Sequence, residues 1–295
     1  MMALRSGKAQ TKPLDGVAID LSHSLARGLV DCWPLRESAN SQTRNVMTGV
    51  LSTSTTIPPV VGSLGGLARD FDGATSSRFL DNAVSAIPDG TDYTVWSLCI
   101  PRGSGLTQNV VDSDGFAGAR RFQLRVNTSN QFEFIAFNTA EAPFIATGST
   151  VALGTLVSIG GTVRGTVVTV WGNGVPVGST TLTGTIKSNA PTIRIGNLIG
   201  GSPQEFNGQI LMAARWNRAL TAFEMSMLHA APYLLFYGAS PNAALFAPGS
   251  VSPGRLLLLL GVGTVIALTN PNLAQKSLTR RQCLTALLGV LARRG

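Results

Sequence analysis

Four aspartates have the types and spacing that could do chemistry: Asp70 with Asp72 in GLARDFDG, and Asp112 with Asp114 in VDSDG. Carboxylates on alternate strand positions share a face, which is how an acid and a nucleophile can be aimed at one sugar. Each pair here stands beside a glycine, with no third acid nearby and no run of Trp or Tyr to stack a sugar ring. Both pairs therefore read as turn aspartates that cap their own backbone, and no catalytic residue is assigned. Asp112 and Asp114 also have the short spacing of calcium ligands, but the other acids of an EF-hand loop are missing, and a plain polar turn is the expectation. No metal ligand or cofactor is assigned; calcium held by several loops together stays open. The two histidines, His23 and His229, lie far apart in sequence and outside any nucleophile-triad pattern. Cys32, Cys99 and Cys283 show no metal-ligand spacing and are expected as buried free thiols.

Charge removes a further class. The chain of 295 residues carries a formal +8, yet between Val30 and Glu224 basic and acidic residues balance at 13 each. After Glu224 come Arg255, Lys276, Arg280, Arg281, Arg293 and Arg294 with no acid. The excess belongs to the ends, so the body has no basic field for a phosphate backbone and no nucleic-acid partner is expected. With 44% hydrophobic and 13% charged residues, the chain can bury a sizeable core. The N-terminus has basic residues but no apolar h-region of a secretory signal.

The elements that must position these residues read as short strands. Residues 1–27 are polar and irregular, a flexible lead-in. GLVDCWPL, from Gly28, is the first strand, with Leu29, Asp31 and Trp33 on one side and Val30 and Cys32 on the other. DYTVWSLCIP is apolar on both faces, as a central strand should be. In RRFQLRVNTSNQFEFIAF, Phe122, Leu124 and Val126 point inward before a polar turn, and Phe132, Phe134 and Ala136 return. Gly172-Asn173-Gly174 supplies the positive-φ residues of a tight hairpin, and TIRIGN adds a strand. The stretch from Phe206 to Leu235 closes the body: a strand, ILMAARW, delivers Trp216 as a core plug, and a short helix follows. That helix has a capping box of Thr221 and Glu224, an apolar face of Phe223, Met227 and Leu228, and a stop at Pro232. Strands recurring about every ten residues with turn signals between them predict an all-β, two-sheet antiparallel sandwich.

Residues 237–295 form a linker and tail. A Pro-Gly-rich linker leads to an apolar stretch, Leu256 to Leu268, too short to span a bilayer as a helix. Two short strands about a Val-Gly turn, or a membrane-associated segment, would account for it. The last stretch sets Leu284, Leu287, Leu288 and Leu291 on one face amid arginines, as a docking or membrane-surface helix would.

The ordered pieces VVTVWGNG, IRIGN, FNG and NRALTAFE, within residues 28–236, resemble the laminin-G-like, concanavalin-A-like jelly-roll family. The resemblance implies a jelly roll with one short closing helix and a glycan- or cell-surface-binding role, sometimes calcium-assisted. LSHSLARGLV and the LFAP run resemble versions of this domain in phage structural proteins. The reading is a non-catalytic binding or display module on a virion or another extracellular assembly. Its partners are a glycan or cell surface, or other virion subunits; homo-oligomers and membrane contact through the tail stay open. The ligand-binding residues are unknown. One alternative is a purely structural virion protein without ligand, such as a capsid decoration or tail subunit; the second is a glycan-cleaving enzyme.

Overall fold

Phe122, Leu124, Val126, Phe132, Phe134 and Ala136 all enter one buried cluster, as strict two-residue alternation demands. The computed structural model describes residues 12–13, 17–37, 42–54, 57–64, 66–73, 80–84, 87–114, 120–188, 192–198, 204–237, 255–260 and 264–269. The chain divides into two compact units, Met1–Gly238 and Ala239–Gly295.

The first unit is a two-sheet antiparallel jelly-roll sandwich. Its strands, in chain order, are β1 (Leu29–Trp33), β2 (Thr53–Ser54), β3 (Pro59–Val61), β4 (Leu67–Asp72), β5 (Leu80–Ala83), β6 (Tyr93–Pro101), β7 (Gln108–Asp114) and β8 (Arg120–Val126). They continue as β9 (Gln131–Phe137), β10 (Pro143–Thr150), β11 (Val157–Arg164), β12 (Val167–Gly172), β13 (Val175–Thr181), β14 (Thr192–Ile195) and β15 (Asn207–Trp216). The eight-stranded sheet runs β13-β12-β11-β6-β15-β4-β3, with β1 also paired to β15; the seven-stranded sheet runs β10-β9-β8-β7-β14-β5-β2. Asn173 and Gly174, both at positive φ, make the tight β12–β13 turn. The edge strands β10 and β13 then meet: a Cβ on Gly178 would stand 2.1 Å from the Thr147 carbonyl oxygen, so the sandwich closes there only because the residue is glycine.

Two apolar layers result. Trp33, Phe71, Tyr93, Phe134 and Phe206 fill the space between the sheets. A second layer lies outside the eight-stranded sheet, where Trp96, Met212 and Trp216 cluster with Leu25, Tyr233 and Leu235 and with Met225 and Leu228 of the single helix, α1 (Ala222–Ala230). The capping box forms as expected, Thr221 Oγ1 accepting from the Glu224 amide while Glu224 accepts from the Thr221 amide. Trp216 is fully buried and donates its indole N–H to the Leu25 carbonyl at 2.7 Å.

Four expectations need correction. The helix face in contact is Met225 and Leu228, with Met227 partly buried against it, while Phe223 is 48% exposed. In β1 a register shift between Leu29 and Asp31 breaks the alternation, so Leu29 and Cys32 share the outer layer and Trp33 enters the inter-sheet core. The lead-in is packed where it is described. Leu25 is buried, and the Lys12 ammonium, itself 3% exposed, donates to the carbonyls of Leu35 (3.0 Å), Leu211 (2.8 Å) and Leu67. Finally, the aspartates read as turn residues lie in strands: Asp70 and Asp72 in β4, Asp112 and Asp114 in β7. Cys32 and Cys99 are buried free thiols, and burial pushes both upward from the usual thiol range. Cys283 lies outside the described residues.

In the second unit β16 (Arg255–Leu260) pairs antiparallel with β17 (Thr264–Thr269), Leu260 opposite Thr264. The expected Pro-Gly linker and basic amphipathic helix lie outside the described residues. No helix among the described residues is long and apolar enough to cross a membrane.

Candidate functional site

The two sheets differ in what they turn outward. On the seven-stranded sheet the core takes Leu80, Ile195, Val111, Leu124, Phe134 and Ala146, so the residues between them face out. Register places Asp81 opposite Arg194, Arg194 opposite Asp112, Asp112 opposite Gln123, Gln123 opposite Ile135 and Ile135 opposite Ile145, one row across six strands. A second row pairs Arg125, Glu133 and Thr147.

The carboxylates in these rows are held by arginines. Arg194 grips Asp81 with two bonds, Nε to Oδ1 at 2.6 Å and one terminal nitrogen to Oδ2 at 2.8 Å. Arg125 Nε donates to Glu133 at 2.5 Å, and a terminal nitrogen donates to Gln123 at 2.8 Å. The second oxygen of Glu133 accepts from Asn127 at 3.2 Å and Thr147 at 3.3 Å. Asp112 is fully buried in the middle of the array. Nearby, Asn109 bonds Gln204 through its side-chain nitrogen at 2.8 Å, and its fully buried side-chain oxygen has no partner. Exposure rises toward β10, where Thr147 is exposed and Ile145 is 46% exposed.

The sequence-predicted pairs do not come together. Asp70 lies in the other sheet, paired with Arg102 at 2.6 Å, and Asp72 lies beside it in β4. Asp112 is in the outward row, and a register shift separates it from Asp114, whose side chain lies outside the described residues. His23 caps a helical turn, its Nδ1 accepting from the Leu25 amide, while His229 Nδ1 sits 3.1 Å from Ser158 Oγ. Ser158 is buried, so this contact docks the helix and presents no accessible nucleophile. Among the described residues no three His, Cys, Asp or Glu side chains cluster to hold a metal. The array built on Asp81, Arg125, Glu133 and Arg194 escaped the sequence reading. Arg125 and Glu133 were within reach of it, since both flank the same hairpin turn at outward positions.

Distance limits the array's chemistry. Asp81 on β5 and Glu133 on β9 are four strands apart, roughly 19 Å, far beyond the about 5 to 9.5 Å between a glycosidase's two carboxyl groups. Asp112 and Asp81 are two strands apart, roughly 10 Å, and Arg194 occupies the strand between them. What the rows offer is a fixed set of charged donors and acceptors with an apolar edge.

Residues 72–226, just over half of the chain, match the family described as the concanavalin A-like lectin/glucanases superfamily. No curated protein sequence matches the chain. The fold is similar to the binding domain of Paraclostridial mosquitocidal protein 1, at 13% identity and TM-score 0.55 over 70% of this chain and 52% of that one. It is similar to the botulinum neurotoxin serotype C1 binding domain at 10% identity and TM-score 0.54, over 70% of this chain and 52% of that one. It also resembles the Trypanosoma rangeli sialidase solved with 2,3-difluorosialic acid, at 15% identity and TM-score 0.53, over 72% of this chain and 34% of that one. The chain thus spans about half the length of the two toxin domains and about a third of the sialidase.

Proposed function

Since the chain belongs to the concanavalin A-like lectin/glucanases superfamily, we propose that it is a non-catalytic module that binds saccharide on a cell surface and is carried by a phage particle or a related extracellular assembly. The observation that carries this reading is the arginine pairing of Asp81 and Glu133 in register across the outward face. Each of these carboxylates is engaged by a guanidinium and lacks the nearby partner acid that hydrolysis needs. The same pairs are good saccharide contacts, because a sugar offers hydroxyls to charged donors and acceptors and a C–H face to an apolar side chain such as Ile145. Binding is assigned to the β8–β10 end of the array, where Arg125 and Asn127 are half-buried, Ile145 and Thr147 are exposed, and the buried Glu133 holds Arg125 in place. The phage setting draws on the lead-in and the Pro-rich LFAP segment, whose wording resembles that of phage structural proteins.

The test is a glycan array probed with the full chain, with and without calcium, followed by incubation of each bound glycan and analysis for released sugar. Binding of a defined glycan class without release, weakened in Arg125→Ala, is the expected result. Released sugar would overturn the non-catalytic assignment. A blank array from a chain that assembles with itself or with particle subunits would favour the purely structural virion subunit instead.

A further inference from the structure

A second site lies away from the outward rows. Val17, Arg36, Glu37, Arg44, Val46 and Leu51 line a cleft of about 500 Å3, within the roughly 300 to 1,000 Å3 usual for small-ligand sites. One wall is a small hairpin in which Arg44 bridges to Leu51. Asn45 roots it: its side-chain oxygen accepts from the amides of Cys32 and Met47, each at 3.1 Å, and its nitrogen donates to the buried Asp31 at 2.7 Å. The Val46 amide adds a bond to the Cys32 carbonyl at 2.9 Å. The facing wall is set by Arg36, which donates to the Val17 carbonyl at 3.0 Å and lies 5.6 Å from the centre of the Phe236 ring. Both walls are therefore tied to the sandwich by hydrogen bonds.

Its chemistry is specific. Among the described residues the exposed Arg44 side chain has no ion pair or hydrogen bond. Each oxygen of Glu37 takes one bond from its own loop, Oε1 from the Arg44 amide at 2.9 Å and Oε2 from Thr43 at 2.8 Å. An ionised carboxylate has about four acceptor positions, so capacity remains on both oxygens. The cleft thus combines a free guanidinium, which suits a carboxylate, an acceptor for hydroxyl donors, and the apolar side chains of Val17, Val46 and Leu51. We infer that this cleft binds a small hydroxylated carboxylate of the uronic-acid type, with its carboxylate on Arg44, a hydroxyl on Glu37 and its C–H face on the valines and Leu51. The choice of a sugar acid rests on the saccharide-binding reading above; the preference for an anion does not.

The experiment titrates the full chain with methyl glucuronide and with methyl glucoside, which keeps the ring and lacks the carboxylate. The glucuronide should bind at least about tenfold more tightly, and Arg44→Ala should remove about that factor, the usual worth of a charge-assisted bond. Arg44→Lys, which keeps the charge and loses the fork, should fall between. The arginine is exposed, so all variants should melt as the native chain does. Equal binding of the two glycosides, an unaffected Arg44→Ala variant, or no binding of the glucuronide up to about 10 mM would each overturn the inference. None of these results touches the array reading: neutral glycans still bound by Arg44→Ala would leave that reading standing whichever way the glucuronide titration comes out.

Discussion

Both sheets send alternate residues into one shared core, yet their other faces have opposite fates. The eight-stranded sheet turns out Trp96, Leu98, Met212 and Trp216, and the chain on either side of the sandwich returns to cover them: Leu25 from the N-terminal segment, Met225 and Leu228 from α1, then Tyr233 and Leu235. The seven-stranded sheet turns out Asp81, Arg194, Gln123, Arg125 and Glu133, which satisfy one another. The difference lies in which residues occupy one of every two positions. An apolar outer face has to be covered and so contributes to stability; a polar one satisfies itself by pairing within the face.

The sharpest way to break this contrast is a pair of matched truncations. Trp216→Ala removes a fully buried indole and its bond to Leu25, and is expected to cost about 3 to 5 kcal/mol. Ile145→Ala, at an outward position 46% exposed on the other sheet, should stay within about 0.5 kcal/mol. Denaturant melts of the two variants decide the matter; equal midpoints would mean the covered layer is not structural. By the same argument, a chain starting at residue 28 lacks Leu25 and Lys12 and should be markedly less stable than the full chain.

Next in size is the contrast between one ion-pair chemistry in two settings. Arg215 and Asp31 are 1% and 0% exposed, bonded at 2.6 and 2.8 Å, with Asn45 on the other carboxylate oxygen. Burial lowers the guanidinium from its usual range, and Asp31 opposes that. Arg215→Met leaves a buried carboxylate without its cation and should cost about 3 to 5 kcal/mol, much of it regained when Asp31→Leu is added. A double-mutant cycle on Arg102 and Asp70, whose side chains are 41% and 25% exposed, should give a coupling of about 1 kcal/mol or less. Coupling energies in the reverse order would undo the division of labour between interior and surface.

Much of the first face was legible in the sequence and little of the second. The inward residues of β8 and β9 follow from alternation about one turn, and that turn also sets Arg125 against Glu133. Arg194 and Asp81 are 113 residues apart, and no local pattern reports a pair across such a separation. Lys12 stayed hidden for another reason. Its partners are three carbonyl oxygens, which every residue possesses, so a packed lysine looks like a solvated one. The β1 bulge and the exposed Phe223 show the limit of periodicity: a one-residue shift exchanges faces, and a helix of nine residues has too few turns to declare which stripe is buried. The helix start was legible because a capping box is local. Thr221→Ala should accordingly cost about 1 kcal/mol, read as a shift in the denaturant midpoint.

The smallest expected effect is a pH dependence confined to the covering layer. Both histidines of the chain belong to it, His23 in the N-terminal turn and His229 in α1, and the polar face has none. Burial lowers both from their usual range, with Asp20 partly opposing this at His23. His23 Nδ1 accepts a hydrogen bond from the Leu25 amide, which a protonated ring could not do. A histidine with a lowered pKa in the fold takes up its proton first in the unfolded chain. The fold is therefore unaffected above the ordinary histidine range and loses stability as pH falls through that range toward the folded pKa. Glu224 acts later. Burial alone would raise it, but bonds from Arg218 and Thr221 outweigh that and hold it low, so its contribution fades only as pH falls below the ordinary carboxylate range. Thermal melts between about pH 7.5 and 5.5 isolate the histidines. The native chain should melt lower at the acidic end, and a His23→Asn, His229→Asn variant, which keeps an acceptor at each position, should lose most of that slope. If the variant retains the full slope, protons act elsewhere, and the covering layer is not where acid loosens the molecule.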